Sequence, residues 1–133
     1  MVTTGYSGTP LLKKLGIKEA NKVKLINAPK NYMELLKDDI HKQLVDKIQE
    51  ADFVHLFVIS KTEFKKEFIK IIHQAKDGLA IWISWPKKSS GIATDVTEDV
   101  IREIVVPTGW VDVKVCAVSD IWSGLKIVKR KNK

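Results

Sequence analysis

Two almost unbroken apolar runs constrain this chain more than anything else in it. Residues 53–59 read FVHLFVI and residues 79–85 read LAIWISW. A strand with one wet face alternates polar and apolar residues. A strand covered on both faces of a parallel sheet instead reads as a nearly continuous run of β-branched and aromatic side chains. Between the runs, Ser60 and Glu63 form a capping box, and Phe64, Phe68, Ile71, Ile72 and Ala75 mark one face of a helix, with Gly78 just past its end. Strand, helix, strand is the beginning of a sheet wrapped by helices.

The flanking segments extend that pattern. Thr9-Pro10-Leu11-Leu12 sets a cap residue before a proline at the first helical position and Gly16 can end the turn, so a short helix docked by Leu11, Leu12 and Leu15 is expected. Val23 to Ile26 alternates and stops at Asn27-Ala28-Pro29, a first strand ending in a loop. Asn31, with Glu34 three residues on, marks another helix start. Residues 38–50 fit two patterns. Leu36, Ile40, Leu44 and Ile48 recur at helical spacing, while Gln43 to Ile48 suits an outer strand, the reading favoured here. Further on, Val96, Val100, Ile101, Ile104 and Val105 keep helical spacing until Pro107. Val111 to Val118 and Leu125 to Val128 supply two last strands. The link between them, Ser119 to Gly124, is too short for a crossover helix, so the final strand should run antiparallel to its predecessor.

Composition narrows the class. With 133 residues, 44 % of them hydrophobic and 29 % charged, the chain has the material for one core, and these proportions exclude a collagen-like repeat or a disulfide-stapled miniprotein. No stretch approaches the roughly 18 apolar residues of a membrane span. Met1 to Gly5 matches neither a signal nor a transit peptide, and the one cysteine, Cys116, has no partner in the chain, so a cytoplasmic protein without a membrane partner is expected. The formal charge of +7 is concentrated at one end: Lys126, Lys129, Arg130, Lys131 and Lys133 follow the last acid, Asp120, and the remainder holds 18 basic residues against 16 acidic ones. Only Arg102 and Arg130 are arginines, which argues against a sequence-specific DNA reader. The tail reads first as a solvated end. Nonspecific attraction to nucleic acid is the lesser alternative.

A parallel sheet finished by an antiparallel hairpin looks like the C-terminal half of the class I methyltransferase fold. The expected architecture is a single three-layer, Rossmann-like α/β domain over residues 1–133, with a mostly parallel sheet ending in that hairpin. Residues 1–21 would form an N-terminal arm and short helix, and residues 129–133 a basic tail. The runs GYSGTPLLKKLGI, INAP, WISWPKKSSGIATDVTEDVIRE, VDVKVCAV and WSGLKIVKR resemble, in the same order and over nearly the whole chain, a family of small bacterial proteins known only as a domain of unknown function. The resemblance implies a compact, cytoplasmic bacterial α/β protein and carries no activity. The likeness to methyltransferases is topological and transfers no reaction by itself.

Open parallel sheets take ligands outside the carboxyl ends of their strands. In this reading Asn27, Ser60, Trp85 to Asp95 and Asp120 to Ser123 all leave strands at that edge. The richest segment is Trp85-Pro86-Lys87-Lys88-Ser89-Ser90-Gly91-Ile92-Ala93-Thr94-Asp95. Its lysines, hydroxyls, glycine and helix-start N–H groups suit a phosphate, carboxylate or sulfate. The structural alternative is that Thr94, Asp95 and Thr97 cap a helix while the lysines point into water. Trp122 and Trp85 could wall a planar ligand, with Asp120 accepting a hydrogen bond from it, or could seal the rim of the core. Asn27 could hydrogen-bond a small ligand or bond its own loop. The candidate ligand-binding residues are thus Asn27, Lys87, Lys88, Ser90, Asp120 and Trp122.

A catalytic apparatus is not legible. A methyltransferase needs a glycine-rich turn after its first strand, and here Asn27-Ala28-Pro29-Lys30 has no glycine and a proline without an N–H, so S-adenosylmethionine in the usual manner is not expected and no cofactor is called for. No G-x-x-x-x-G-K-[ST] loop occurs. Ser84 to Lys87 matches S-x-x-K only by chance, because Ser84 lies in a strand. His41, His55 and His73 lack ligand spacing for a metal, His55 packs in its strand, and Cys116 reads as a small core residue. Gly5-Tyr6-Ser7-Gly8 reads as an arm over the sheet edge. The expected function is binding of an anionic small molecule or nucleotide at the carboxyl edge. A diverged S-adenosylmethionine-dependent transferase, or an interaction module using the basic tail, are the alternatives.

Overall fold

The computed structural model describes residues 10–131. The Gly5-Tyr6-Ser7-Gly8 arm, the Thr9 cap and the last two residues of the tail lie outside them. The elements run α1 (Leu11–Leu15), β1 (Val23–Ile26), α2 (Tyr32–Leu36), β2 (Phe53–Phe57), α3 (Lys61–Gln74), β3 (Ala80–Pro86), α4 (Glu98–Val105), β4 (Trp110–Ala117) and β5 (Trp122–Lys129). They build one five-stranded sheet of order β1-β2-β3-β5-β4. β1, β2 and β3 pair in parallel, β5 is antiparallel to both β3 and β4, and four of the five strands therefore point the same way. The last strand does run antiparallel to its predecessor, and it inserts between β3 and β4.

The two apolar runs are covered on both faces because their alternate side chains feed two separate cores. Val54 and Leu56 of β2, Ile81 and Ile83 of β3, and Leu125 and Ile127 of β5 meet Phe64, Phe68 and Ile71 of α3 and Ile101 and Val105 of α4. Phe53 and Phe57 of β2 and Trp82 of β3 point the other way, to Leu11 and Leu15 of α1 and Tyr32 and Leu36 of α2. Burying each such Leu, Ile or Phe is worth about 1.5–3 kcal/mol. The helices are therefore held mainly by the sheet, the five-residue α1 and α2 above all.

Local signals act where expected, with some differences. Ser60 Oγ accepts from the Glu63 amide at 3.0 Å and Thr97 Oγ1 from the Val100 amide at 3.1 Å, each at a helix start. Asn31 precedes α2, but its side chain makes no capping bond. Residues 38–50 are neither the favoured strand nor a helix. Two single turns, His41–Gln43 and Ile48–Glu50, flank one isolated bridge, Val23 to Leu44, with the Val45 amide donating to the Val23 carbonyl at 2.9 Å. One bridge is all that Asp38, Asp39, Asp46 and Lys47 permit beside an edge strand, since a longer ladder would bring charged side chains onto the buried faces.

Candidate functional site

The carboxyl ends of β1, β2, β3 and β4 lie on one rim, and hydrogen bonds knit their exits together. The rim has two halves of different chemistry. Over β1 and β2, the first turn of α3 is saturated by the protein itself. Asp95 Oδ1 accepts from the Lys61 amide at 2.7 Å, and Thr94 Oγ1 donates to the Ile59 carbonyl at 2.6 Å. Glu63 accepts from the Ile59 amide and from Asn27 Nδ2, both at 3.3 Å, and Asn27 Nδ2 also reaches the Phe57 carbonyl at 3.3 Å. Thr94 and Asp95 therefore do not cap the helix they precede; they tie the loop to α3, and Thr97 alone caps α4. A phosphate approaching this helix start would meet two carboxylates already seated where its charge would go.

Over β3 and β5 the balance is reversed. The Lys87 amide donates to the Ile121 carbonyl at 2.8 Å, which fastens the lysine turn onto the turn between β4 and β5. Lys88–Ser90 forms one tight turn closed by Gly91 at φ 77°, a left-handed conformation natural to glycine. Ser90 Oγ donates to the Lys87 carbonyl at 2.6 Å and accepts from the Ile92 amide at 3.1 Å. Its one proton is committed, so Ser90 shapes the turn rather than offering a donor outward. Ser119 Oγ likewise holds the facing turn through the Ile121 and Trp122 amides, both at 3.1 Å. Lys88 and Asp120 are exposed and Lys87 is half-buried. Among the described residues, no hydrogen bond or ion pair takes up the ammonium groups of Lys87 and Lys88 or the carboxylate of Asp120.

Of the six residues singled out from sequence, Lys87, Lys88, Ser90, Asp120 and Trp122 come together. Asn27 does not join them: it lies two strands away, about 10 Å across a sheet. It borders instead a groove of about 580 Å³ on the outer side of β1, lined also by Lys24, Gln49, Glu67 and Lys70. Asn27 has φ 59°, so the first turn does adopt a left-handed residue, supplied by asparagine rather than glycine. The aromatic wall of Trp85 and Trp122 is overturned. Trp122 pairs with Pro86 across β3 and β5, so Trp85 points to the α3 side and Trp122 to the α1 side, where its ring meets Phe57 edge-on at 5.0 Å.

Sequence reasoning missed a buried polar chain on the α1 side. Tyr32 Oη lies 2.8 Å from His55 Nδ1, and His55 Nε2 lies 2.8 Å from Ser84 Oγ, with all three side chains buried. Burial holds His55 neutral by pushing its pKa down to about 3, and pushes the Tyr32 phenol far above its usual range. Sealed from solvent and bonded end to end, the three side chains brace β2 and β3 against α2. The available signal was a polar residue on the apolar face of each of two strands, His55 and Ser84. Cys116 is half-buried and packs against the α1-side core, and burial raises its thiol above the ordinary value. Among the described residues no group of three His, Cys, Asp or Glu side chains could hold a metal, and no helix is long and apolar enough to cross a membrane.

Comparison with known proteins places the fold. No family model and no curated protein sequence matches the chain. Among solved structures, the chain is similar to a protein of the NADB-Rossmann superfamily from Streptococcus agalactiae, with a TM-score of 0.56 and 6 % identity over 94 % of this chain and 70 % of the other. It is also similar to human N-acetylserotonin methyltransferase in complex with SAM, with a TM-score of 0.58 and 11 % identity over 91 % of this chain. The match spans 51 % of the methyltransferase, about half its length. At these identities the likeness establishes a Rossmann-like, methyltransferase-like architecture.

Proposed function

We propose that the chain is a cytoplasmic α/β binding protein that takes an anionic small molecule, nucleotides among them, on the β3–β5 half of its carboxyl rim. Lys87 and Lys88 neutralise the anion, Ser90 holds the turn that presents them, and Asp120 and Trp122 flank the ligand from the facing turn. Asn27 belongs to the other half and shapes the rim without touching the anion. The observation that carries this reading is the bond from the Lys87 amide to the Ile121 carbonyl, which brings two lysines and an acceptor to one place. The saturation of α3 by Asp95 and Glu63 supports the same half by making the other repel anions.

The test is a thermal-shift panel of phosphate, mononucleotides and S-adenosylmethionine on the parent chain and on Lys87→Ala/Lys88→Ala. Ligand binding to the folded state raises the midpoint. A rise with phosphate-bearing ligands that disappears in the double variant is expected. No rise across the panel, or an equal rise in both proteins, overturns the reading.

A second reading, a diverged S-adenosylmethionine-dependent transferase, draws on the structural likeness to a methyltransferase bound to that cofactor and on the left-handed turn at Asn27. Pro29 and the amide of Asn27, already spent on Phe57 and Glu63, weigh against it. A rise with S-adenosylmethionine alone, unaffected by the lysine changes, would favour it.

A further inference from the structure

Three isoleucines stand out on the carboxyl rim, and core packing does not account for them. Ile59 follows β2, Ile92 lies in the loop after β3, and Ile121 lies in the turn between β4 and β5; they are 47 %, 41 % and 44 % exposed. Single exposed apolar side chains are ordinary on any surface. Tight connections, however, draw on Gly, Asn, Asp and Ser for their turn chemistry rather than on stiff β-branched residues. Departures from such local rules gather where a protein has a task besides folding.

Their exposure is built in, because the backbone around them is fixed. The Ile59 amide donates to Glu63 at 3.3 Å, and the Ile59 carbonyl accepts from Thr94 Oγ1 at 2.6 Å. The Ile121 amide donates to Ser119 Oγ at 3.1 Å, and the Ile121 carbonyl accepts from the Lys87 amide at 2.8 Å. The Ile92 amide donates to Ser90 Oγ at 3.1 Å, and that hydroxyl in turn donates to the Lys87 carbonyl at 2.6 Å. Ile92 and Ile121 are thus tied to the lysine turn from two directions, one through the carbonyl of Lys87 and the other through its amide. Ile59 extends the series toward β2, through a threonine two residues beyond Ile92.

We infer that the ligand of the lysine turn is a phosphate monoester with an apolar body, its phosphate on Lys87 and Lys88 and its hydrocarbon part over Ile92 and Ile121. The inference rests on the reading of the β3–β5 half as an anion site and adds the class of ligand to it. Charge and apolar area select an amphiphile together: the ammonium groups attract the phosphate, and the isoleucines favour a ligand that takes their side chains out of water. A single small molecule suits the rim better than a membrane does. The same edge carries the carboxylates of Glu63, Asp95 and Asp120, which a broad anionic bilayer would meet along with the lysines.

The test is amide chemical-shift titration of the full chain with inorganic phosphate, glycerol phosphate and n-hexyl phosphate, repeated on Ile92→Thr, Ile121→Thr and Ile69→Thr. The parent chain is expected to bind hexyl phosphate about tenfold more tightly than either of the other two. Each rim substitution should shrink that ratio to about threefold or less. Threonine keeps the β-branch, and the bonds at both positions are made by the backbone, so the turns are retained. Ile69→Thr changes an isoleucine equally exposed but midway along α3, and should leave the ratio as it is. Equal affinity for the three ligands, or a hexyl advantage that survives both rim substitutions, overturns the inference and leaves the anion site standing. No binding of any of the three overturns the inference together with the reading beneath it. Tighter binding to phosphatidate vesicles than to hexyl phosphate, lost in the same variants, overturns it in favour of a lipid surface.

Discussion

The two faces of the sheet are built on different principles. Toward α3 and α4 the core is hydrocarbon and aromatic carbon throughout, from Val54 and Ile83 to Phe68 and Val105. Toward α1 and α2 the same strands present His55 and Ser84, tied to Tyr32, and the aromatic series continues from His55 stacked on Phe57 at 4.3 Å to Trp122 at the rim. A dry face needs only volume and shape to be stable. A face with a buried polar chain is stable only while every member keeps its protonation state and its partner. The lesson is that one face is held by apolar packing alone, while the other is held by apolar packing and a buried polar chain that must stay bonded.

The largest expected effect tests the dry face. Phe68→Ala, removing a fully buried ring stacked on Phe64 at 5.5 Å, should destabilise by about 3–5 kcal/mol in denaturant unfolding. A loss under about 1 kcal/mol would mean that apolar packing is not what holds this face.

Acid should discriminate between the faces next. His55 binds a proton in the unfolded chain near its ordinary 6.5 but in the folded chain only near 3. Between these values the unfolded state holds more protons, so stability is full above pH 6.5 and falls as the pH drops, by about 1.4 kcal/mol per pH unit. From pH 6.5 to 5 that amounts to about 2 kcal/mol, above the range where Asp52 and Asp112, both held low by their basic partners, titrate. His55→Gln should flatten that window, and an unchanged slope would show that His55 is not the group responsible.

A smaller change sharpens the account of the polar chain. Ser84→Ala leaves His55 Nε2 without a partner and should cost about 1–3 kcal/mol, whereas the same deletion at exposed Ser89 should cost nothing measurable. Equal effects would make the chain incidental. The smallest effect on stability belongs to the rim: Lys87→Ala/Lys88→Ala should shift the unfolding free energy by no more than about 0.5 kcal/mol while removing the anion response.

Much of this could be read without coordinates, for identifiable reasons. The runs at 53–59 and 79–85 announced doubly covered strands because burial on two faces leaves no place for polar residues. The Ser60 and Thr97 caps were legible because a cap acts within three residues of itself. What escaped was long-range. Thr94 and Asp95 looked like caps for the next helix, yet they bond Ile59 and Lys61, more than thirty residues back. Trp85 and Trp122 looked like one wall, and only the register of β5 against β3 separates them. Ser90 looked like a ligand donor, but its proton closes its own turn. Gly124 illustrates the same point in packing: a Cβ there would come within 3.0 Å of Val118 and 3.2 Å of Trp82, a constraint that no local pattern announces.

The most direct test of the central claim, that the lysine-bearing half of the rim receives the anion, is amide chemical-shift mapping with sodium phosphate and ADP. The account predicts saturable shifts concentrated in residues 87–92 and 119–122, with residues 61–64 at the start of α3 left in place. Shifts centred on that helix start, or none at all at saturating ligand, would contradict it.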